Sequence, residues 1–397
     1  MKVLMFVEND FPHNIRLENE VSILKEYGHT FDVITFTRDK NAPTQINYEG
    51  MNVFKKYIPK LVYKSRVAQF KFPTYNAFWT KFLGEFFDNT AEKYDAIHSV
   101  DLSTLPASLW VKEKYNIPLI MDLYENYPYL VKNADHTQGK LGKFLSDFPK
   151  ILKYENEHVK KADIVITTAN EMTKRLQQHD KRPERYFLYR NVIDISKYTL
   201  PPKVETDIDL IYIGGITSAR GIQQVIDATE EVVKHKPNFN FSIVGTGRYL
   251  QNLKDLAAEK RLQNNVHFIG QVSQNEAFDY INRSKVCVIP HLRSKQNDNT
   301  TSNKIFQYAY HEKPVLTTDA PATVSLMNEM DCGLIYKEGD IKELTHHILH
   351  LLANPEEVKS YGENGRKAVL NKFNTKVEGK ALQEAYSYVE KNILKKD

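Results

Sequence analysis

Short apolar runs alternate with stretches of helical periodicity along almost the whole chain, and this alternation narrows the fold more than any other feature. Residues 3–7 form the first run. Leu17, Val21 and Leu24 then recur at i, i+4 and i+7, and Gly28 stands where a helix should end. Further runs lie at 31–36, 95–100, 118–122, 162–168 and 186–189, with a helix expected around 105–114. A second series opens after Leu200-Pro201-Pro202, a plausible linker. It has apolar runs at 209–213, 239–244, 266–269, 286–289, 314–317 and 333–336. Ile222, Val225, Ile226, Thr229, Val232 and Val233 make a helical stripe, and other helices centre near Leu253, Ala277, Phe306 and Met327. Strand, helix, strand at this spacing calls for a parallel sheet covered on both faces. The expected architecture is α/β: two doubly wound domains, at 1–200 and 205–375. The tail, 376–397, reads as one helix packing back on the first domain.

Composition excludes several classes. The 397 residues carry a net charge of +4, so no general attraction to nucleic acid is expected. Two cysteines, Cys287 and Cys332, make no disulfide framework and fit a reducing compartment. The apolar run before Glu8 is too short for a secretion signal, and no stretch is long enough to span a bilayer. A cytoplasmic location is expected.

Doubly wound folds hold ligands beyond the carboxyl ends of their strands, where the strand order reverses. Two such domains facing each other would form a cleft. Three segments at strand ends carry suitable chemistry. Gly214-Gly215-Ile216-Thr217-Ser218-Ala219-Arg220-Gly221 follows the run at 209–213 and opens a helix. Its glycines allow close backbone approach, the helix start offers free N–H groups, and Arg220 adds a cation. The segment is either a phosphate cradle or a tight turn with a surface arginine. Gly245-Thr246-Gly247 resembles the start of a dinucleotide fingerprint, but Leu250 replaces its third glycine. A turn lining a nucleotide site with backbone groups suits it better than NAD binding. The polar loop 297–303 runs into a helix, with Ser302 as its expected N-cap and Asn303 or Lys304 in reach of an anion.

Eight ordered segments resemble the retaining glycosyltransferases of family 4, with the GT-B fold. They are YDAIHSVD (94–101), LIMDLYENYP (119–128), ADIVITTANEM (162–172), LYRNVID (188–194), LIYIGGITSARGI (210–222), FSIVGTG (241–247), VHFIGQV (266–272) and SNKIFQYAYHEKPVL (302–316). The resemblance implies two Rossmann-like domains facing across a cleft, with the acceptor on the first and a nucleotide-sugar on the second. It implies sugar transfer with retention, no cofactor and no essential metal. The family's phosphate-binding Arg and Lys fall on Gly215 and Arg220, so one charge is missing; Lys304 or Arg293 could supply it. Its two glutamates, eight positions apart, fall on Asn299 and Gln307, with Asp298 one residue away from the first. These implied donor contacts keep hydrogen-bond acceptors and lose charge. The family's histidine near the sugar falls on Tyr124, with His98 and Asp101 as the nearest other candidates. On the acceptor side stand Glu125 and, in the loop after the first strand, Asn14 and Arg16.

Residues 51–84 hold seven Lys or Arg, nine aromatics and no acidic residue. Such a stretch suits an anionic membrane surface or a lipid-diphosphate acceptor, or else a solvated loop with one packed helix. The resulting expectation is a metal-independent retaining hexosyltransferase that acts on a cell-surface glycan or lipid-linked acceptor, at the inner face of the membrane. A GT-B protein that only binds nucleotide or glycan, or a nucleotide-sugar epimerase, are the rival readings.

Gln307 yields a direct test. A charge-assisted hydrogen bond contributes about 1.5–3 kcal/mol, against about 1 for a neutral one. Gln307→Glu should therefore tighten UDP or GDP binding by up to about tenfold, and Gln307→Ala should loosen it, in calorimetric titration. An alanine variant that binds like the parent would remove Gln307 from the nucleotide site.

Overall fold

In the computed structural model the described residues are all but 10, 13, 135, 136, 198–203 and 396–397. The expected linker at 200–202 lies outside them. The chain forms two compact units, residues 1–191 with 378–397, and residues 192–377.

The first unit is built on an eight-stranded sheet. Its strands are β1 (Lys2–Phe6), β2 (Thr30–Thr37), β3 (Gln45–Tyr48), β4 (Met51–Tyr57), β5 (Ala96–Val100), β6 (Leu119–Leu123), β7 (Ile164–Thr167) and β8 (Tyr186–Leu188). Their order is β3-β4-β2-β1-β5-β6-β7-β8, and only β3 runs antiparallel to its neighbour. Strands β1, β5, β6 and β7 are apolar except for Lys2 at the start of β1 and for His98, Ser99, Asp122 and Thr167, because helices cover both faces. Strands β3 and β4 were not anticipated. Glu49 and Gly50, both at positive φ, turn the chain between them. Lys55 and Lys56 are adjacent on this strand and both half-buried, within a stretch that read as a basic surface or a solvated loop with one packed helix.

The second unit has six parallel strands: β9 (Ile208–Ile213), β10 (Phe241–Val244), β11 (Val266–Gly270), β12 (Ser284–Ile289), β13 (Val315–Thr318) and β14 (Gly333–Tyr336). The order β11-β10-β9-β12-β13-β14 is doubly wound, with its switch point between β9 and β12. Two further helices, Ile341–Ala353 and Pro355–Asn371, follow β14.

The final helix, Thr375–Tyr388, runs on into a wider turn, Val389–Ile393. Its Leu382, Ala385, Tyr386 and Val389 share a buried cluster with Val3, Met5 and Val33 of the first sheet. The Tyr386 hydroxyl lies 2.8 Å from Nδ1 of His98, which is fully buried on β5.

Beside His98 sits a buried charge network. Arg16, on the helix Ile15–Glu26, donates from Nη2 to both carboxylate oxygens of Asp122 on β6, at 3.0 and 3.2 Å. Its Nη1 donates to Tyr189 O and Asn191 Oδ1, and its Nε lies 2.8 Å from Glu20 Oε1. The rings of Tyr124 and Tyr189 pack on the guanidinium at 4.5 and 4.6 Å. Burial opposes ionisation of Asp122, but Arg16 and His98 hold its carboxyl below the usual range. Burial and the charge of Asp122 push Glu20 well above it. Arg16 and Asp122 thus neutralise each other, while burial beside Asp122 disfavours ionisation of Glu20.

Removing one partner of a buried pair leaves an uncompensated charge, at about 3–5 kcal/mol. Arg16→Leu should lower stability by about that amount in urea unfolding followed by circular dichroism. Arg16→Lys should not restore it, because an ammonium cannot bond both Asp122 oxygens together with Tyr189 O and Asn191 Oδ1. An unchanged midpoint would show that the network contributes nothing.

Candidate active site

The second unit places its glycines and cations at the carboxyl ends of β9, β10 and β12. The loops after β9 and β10 are hydrogen-bonded together: Gly214 N–H donates to Val244 O at 2.9 Å, and Ile216 N–H to Thr246 O at 2.9 Å. A Cβ on Gly245 would stand 2.0 Å from Gly214 O, and one on Gly247 2.0 Å from Ile216 O. These two glycines are required by the close approach of two backbones. Gly215 O accepts a hydrogen bond from the Tyr212 hydroxyl at 2.8 Å.

Lys304 begins the helix Lys304–Tyr310 and reaches back over Gly214. A Cβ there would meet its Cε at 2.5 Å and its Nζ at 3.0 Å. The missing side chain of Gly214 is the space Lys304 uses. Arg220 closes the short turn Ser218–Arg220 at the end of the β9 loop. Its Nη1 donates to Nε2 of His291, 3.2 Å away. Burial, then the nearby charge of Arg220, lowers the Lys304 ammonium to about 8. Burial and both cations push His291 far below its ordinary value, so its imidazole is neutral. Among the described residues neither Arg220 nor Lys304 has a carboxylate partner within ion-pair distance. Two cations held near each other without a counter-charge are costly, and an anion relieves that cost. His291, which the sequence reading did not single out, completes this group; its only sequence signal is its place just past β12.

Arg293, the other candidate for the missing charge, is already neutralised. Its Nε donates to Asp298 at 2.6 Å and its Nη1 lies 3.3 Å from Asp319. Asp298 is committed to that pair. Asn299 donates to Lys295 O within its own turn. Ser302 is not the N-cap: the helix starts one residue later, at an Asn303 whose side chain makes no cap bond. Gln307 lies on the second turn of that helix, partly exposed.

In the first unit the predicted residues separate into two groups. Asn14 caps the helix Ile15–Glu26, accepting from Leu17 N–H. Arg16, His98 and Tyr124 belong to the buried network, with the Tyr124 hydroxyl donating to Glu20 at 3.1 Å. They brace the sheet from within, and their polar atoms face one another. The Glu20, His98 and Asp122 ligand atoms lie within 4.8 Å of one another, close enough for a metal ion, but Arg16 already supplies the positive charge.

Asp101 and Glu125 stand at the strand ends themselves. Asp101 directly follows β5 at φ 64°, and its carboxylate accepts from Tyr124 N–H and Glu125 N–H at 3.0 and 3.3 Å. Burial, then Glu125 and Asp122, raises its carboxyl to about 8. Glu8, just past β1, was not anticipated as a site residue. It is buried, burial raises it to about 7, and its Oε2 lies 3.7 Å from Arg66. Its Oε1 has no hydrogen-bond partner. β1 and β5 are the strands between which the order reverses.

Comparison with known proteins agrees with this architecture. Residues 17–197 match the model described as Glycosyltransferase Family 4, and residues 200–368 match Glycosyl transferases group 1. An uncharacterised glycosyltransferase of Methanocaldococcus jannaschii is 20 % identical over 400 residues, covering 97 % of this chain and 98 % of that protein. Sucrose-phosphate synthase of Thermosynechococcus elongatus superposes with a TM-score of 0.76 at 17 % identity, over 97 % of this chain and 98 % of that one. Anabaena HepE, solved in complex with UDP, gives a TM-score of 0.71 at 15 % identity, over 98 % and 100 % of the two chains. The chain belongs to the group 1, family 4 type of glycosyltransferases and has their GT-B fold.

Proposed function

We propose that the protein is a retaining, metal-independent hexosyltransferase that moves a sugar from a UDP- or GDP-linked donor to a cell-surface glycan or lipid-linked acceptor. The observation that carries this reading is the pair Arg220 and Lys304, two cations without a carboxylate partner beside strand-end loops made of glycine. A nucleoside diphosphate supplies the missing negative charge, and a structural neighbour is complexed with UDP. Lys304 takes the place of the family cation that Gly215 lacks. The helix Ile222–His235 begins nearby, at a Gly221 with no side-chain cap, and a helix N-terminus of this kind favours phosphate.

In this reading the bond between the anomeric carbon and the diphosphate breaks as Arg220 and Lys304 neutralise the charge growing on the leaving group. The acceptor hydroxyl attacks the oxocarbenium-like carbon on the same face. Its proton leaves with the diphosphate, and no side chain forms a covalent intermediate. Neutral His291 accepts a hydrogen bond from Arg220 and holds it toward the anion without competing for it. On the first unit, Asp101, Glu125 and Glu8 are the polar groups at the strand ends where an acceptor would sit. The buried His98, Tyr124 and Arg16 act through the sheet rather than on the sugar. A cytoplasmic site of action goes with this reading.

A labelled UDP- or GDP-sugar supplied with candidate acceptors tests it: a new glycosidic bond supports transfer, whereas a new epimer or an unchanged donor overturns it. Arg220→Ala should lower kcat/KM by about 10²–10³, as loss of a preorganised electrostatic group does. Unchanged turnover would remove Arg220 from the site. Lys304 adds a pH test. Its pKa in the free protein is about 8, so the cationic form that binds diphosphate is lost above that pH. UDP affinity should fall by about tenfold or more between pH 7.5 and 9.5, and Lys304→Met should be weaker throughout and flat over that range. A parent protein whose affinity is flat across this window would exclude Lys304 from the anion site.

A further inference from the structure

The basic, aromatic stretch at 51–84 is divided by the structure. Tyr75, Trp79 and Leu83, on the helix Thr74–Asn89, are buried, and Trp79 packs edge-on against Phe6 with centroids 4.8 Å apart. That half of the stretch is core. The exposed half is the segment 60–73, and it has a neighbour. The helix Lys140–Ser146 packs on the turn Arg66–Ala68, and the helix Tyr127–Asn133 packs on Lys140–Ser146. Lys71 ties the layers together, its Nζ 3.6 Å from the Phe144 ring centroid and donating to Phe144 O at 3.0 Å.

This layer carries an unusual share of exposed apolar side chains. Among the described residues nine large hydrophobics are exposed, and five are here: Leu61 (83 %), Leu141 (70 %), Phe144 (57 %), Phe72 (45 %) and Leu130 (44 %). The other four are scattered through both units. Single exposed apolar residues are ordinary, but a group on adjoining short helices marks a surface meant to be covered. Its rim has one sign. Lys60, Lys64, Lys132, Lys140 and Lys143 are all exposed. Residues 60–73 contain no acidic residue, and 127–153 contain five lysines against Asp135 and Asp147.

We infer that this face of the first unit docks on an anionic lipid bilayer, with Leu61, Leu141 and Phe144 entering the interface and the lysines meeting headgroup phosphates. Short amphipathic helices with lysine beside leucine and phenylalanine bind such surfaces through buried apolar area together with charge. A protein partner would need a matching acidic, apolar surface, whereas a bilayer supplies both properties without shape matching. The face borders the strand ends, because Arg66 of the same layer reaches Glu8 at the end of β1. A lipid-borne acceptor would therefore arrive beside Asp101 and Glu125. The docking itself does not depend on the transferase reading.

The test is co-sedimentation of the full chain with vesicles of phosphatidylcholine alone or with about one-third phosphatidylglycerol, at low and high salt. Binding should require the anionic lipid and weaken with salt. The fourfold variant Lys60→Ala, Lys64→Ala, Lys140→Ala, Lys143→Ala should reduce it by tenfold or more, and Leu141→Ser with Phe144→Ser should do the same. Both variants should keep the parent's circular dichroism and UDP affinity, which separates a docking defect from misfolding. Equal binding to both vesicle types, no binding to either, or variants that bind like the parent would overturn the inference. So would a concentration-dependent dimer abolished by Leu141→Ser with Phe144→Ser in the absence of vesicle binding, which would assign the face to a second copy. Loss of UDP binding by the parent would count against the donor reading and leave the vesicle result standing.

Discussion

A parallel sheet covered on both faces exposes only its strand ends, and the chemistry of this protein follows from that constraint. Strands β1, β5 and β9 are closed off by helices, so polar groups inside them must be paired internally. The groups left to meet a ligand lie in the loops just past the strands, where Glu8, Asp101 and Glu125 stand in one unit and Gly214, Arg220 and His291 in the other. The doubly wound order places these residues around a reversal of strand order in each sheet.

The two units treat buried charge in opposite ways. In the first, Arg16 is met by Asp122, by Glu20 and by two tyrosine rings, so the cation is spent on structure. In the second, Arg220 and Lys304 have no carboxylate partner among the described residues, and the lysine is depressed by burial and by its neighbour. Arg220 donates instead to a neutral imidazole, that of His291. Uncompensated charge at a strand end lowers stability until an anion arrives, which is the usual mark of a binding site rather than of a scaffold. Arg293 shows the contrast within a few residues, since Asp298 and Asp319 neutralise it.

Much of the fold was legible from the chain because its two periodicities differ. Runs such as DLIYI at 209–213 and the stripe from Ile222, Val225 and Ile226 announce strand and helix by spacing alone. The hairpin of β3 and β4 was not legible: its alternation is masked by Lys55, Lys56 and a run of aromatics whose burial depends on the helix packed against them. The site was legible in part. Arg220 and Lys304 follow from strand-end position and residue type. Arg16, His98 and Tyr124 have equally suggestive chemistry, but Asp122, Tyr386 and Glu20, which engage them, lie 104 to 288 positions away in the chain, and no local pattern reveals such partners.

The exposed face of the first unit illustrates the same divide. Lysine beside leucine and phenylalanine is plain in the sequence at 60–73 and again at 140–144, but neither segment shows that the two adjoin or that Trp79 turns inward. The sequence by itself determined the α/β class, the two series of strands and the glycine-rich strand ends. Tertiary structure decided which polar groups are spent on the core, which cations have no carboxylate partner among the described residues, and which apolar residues remain uncovered. The reason is physical: periodicity and backbone conformation are local properties of the chain, whereas burial and charge compensation depend on groups brought together from distant positions.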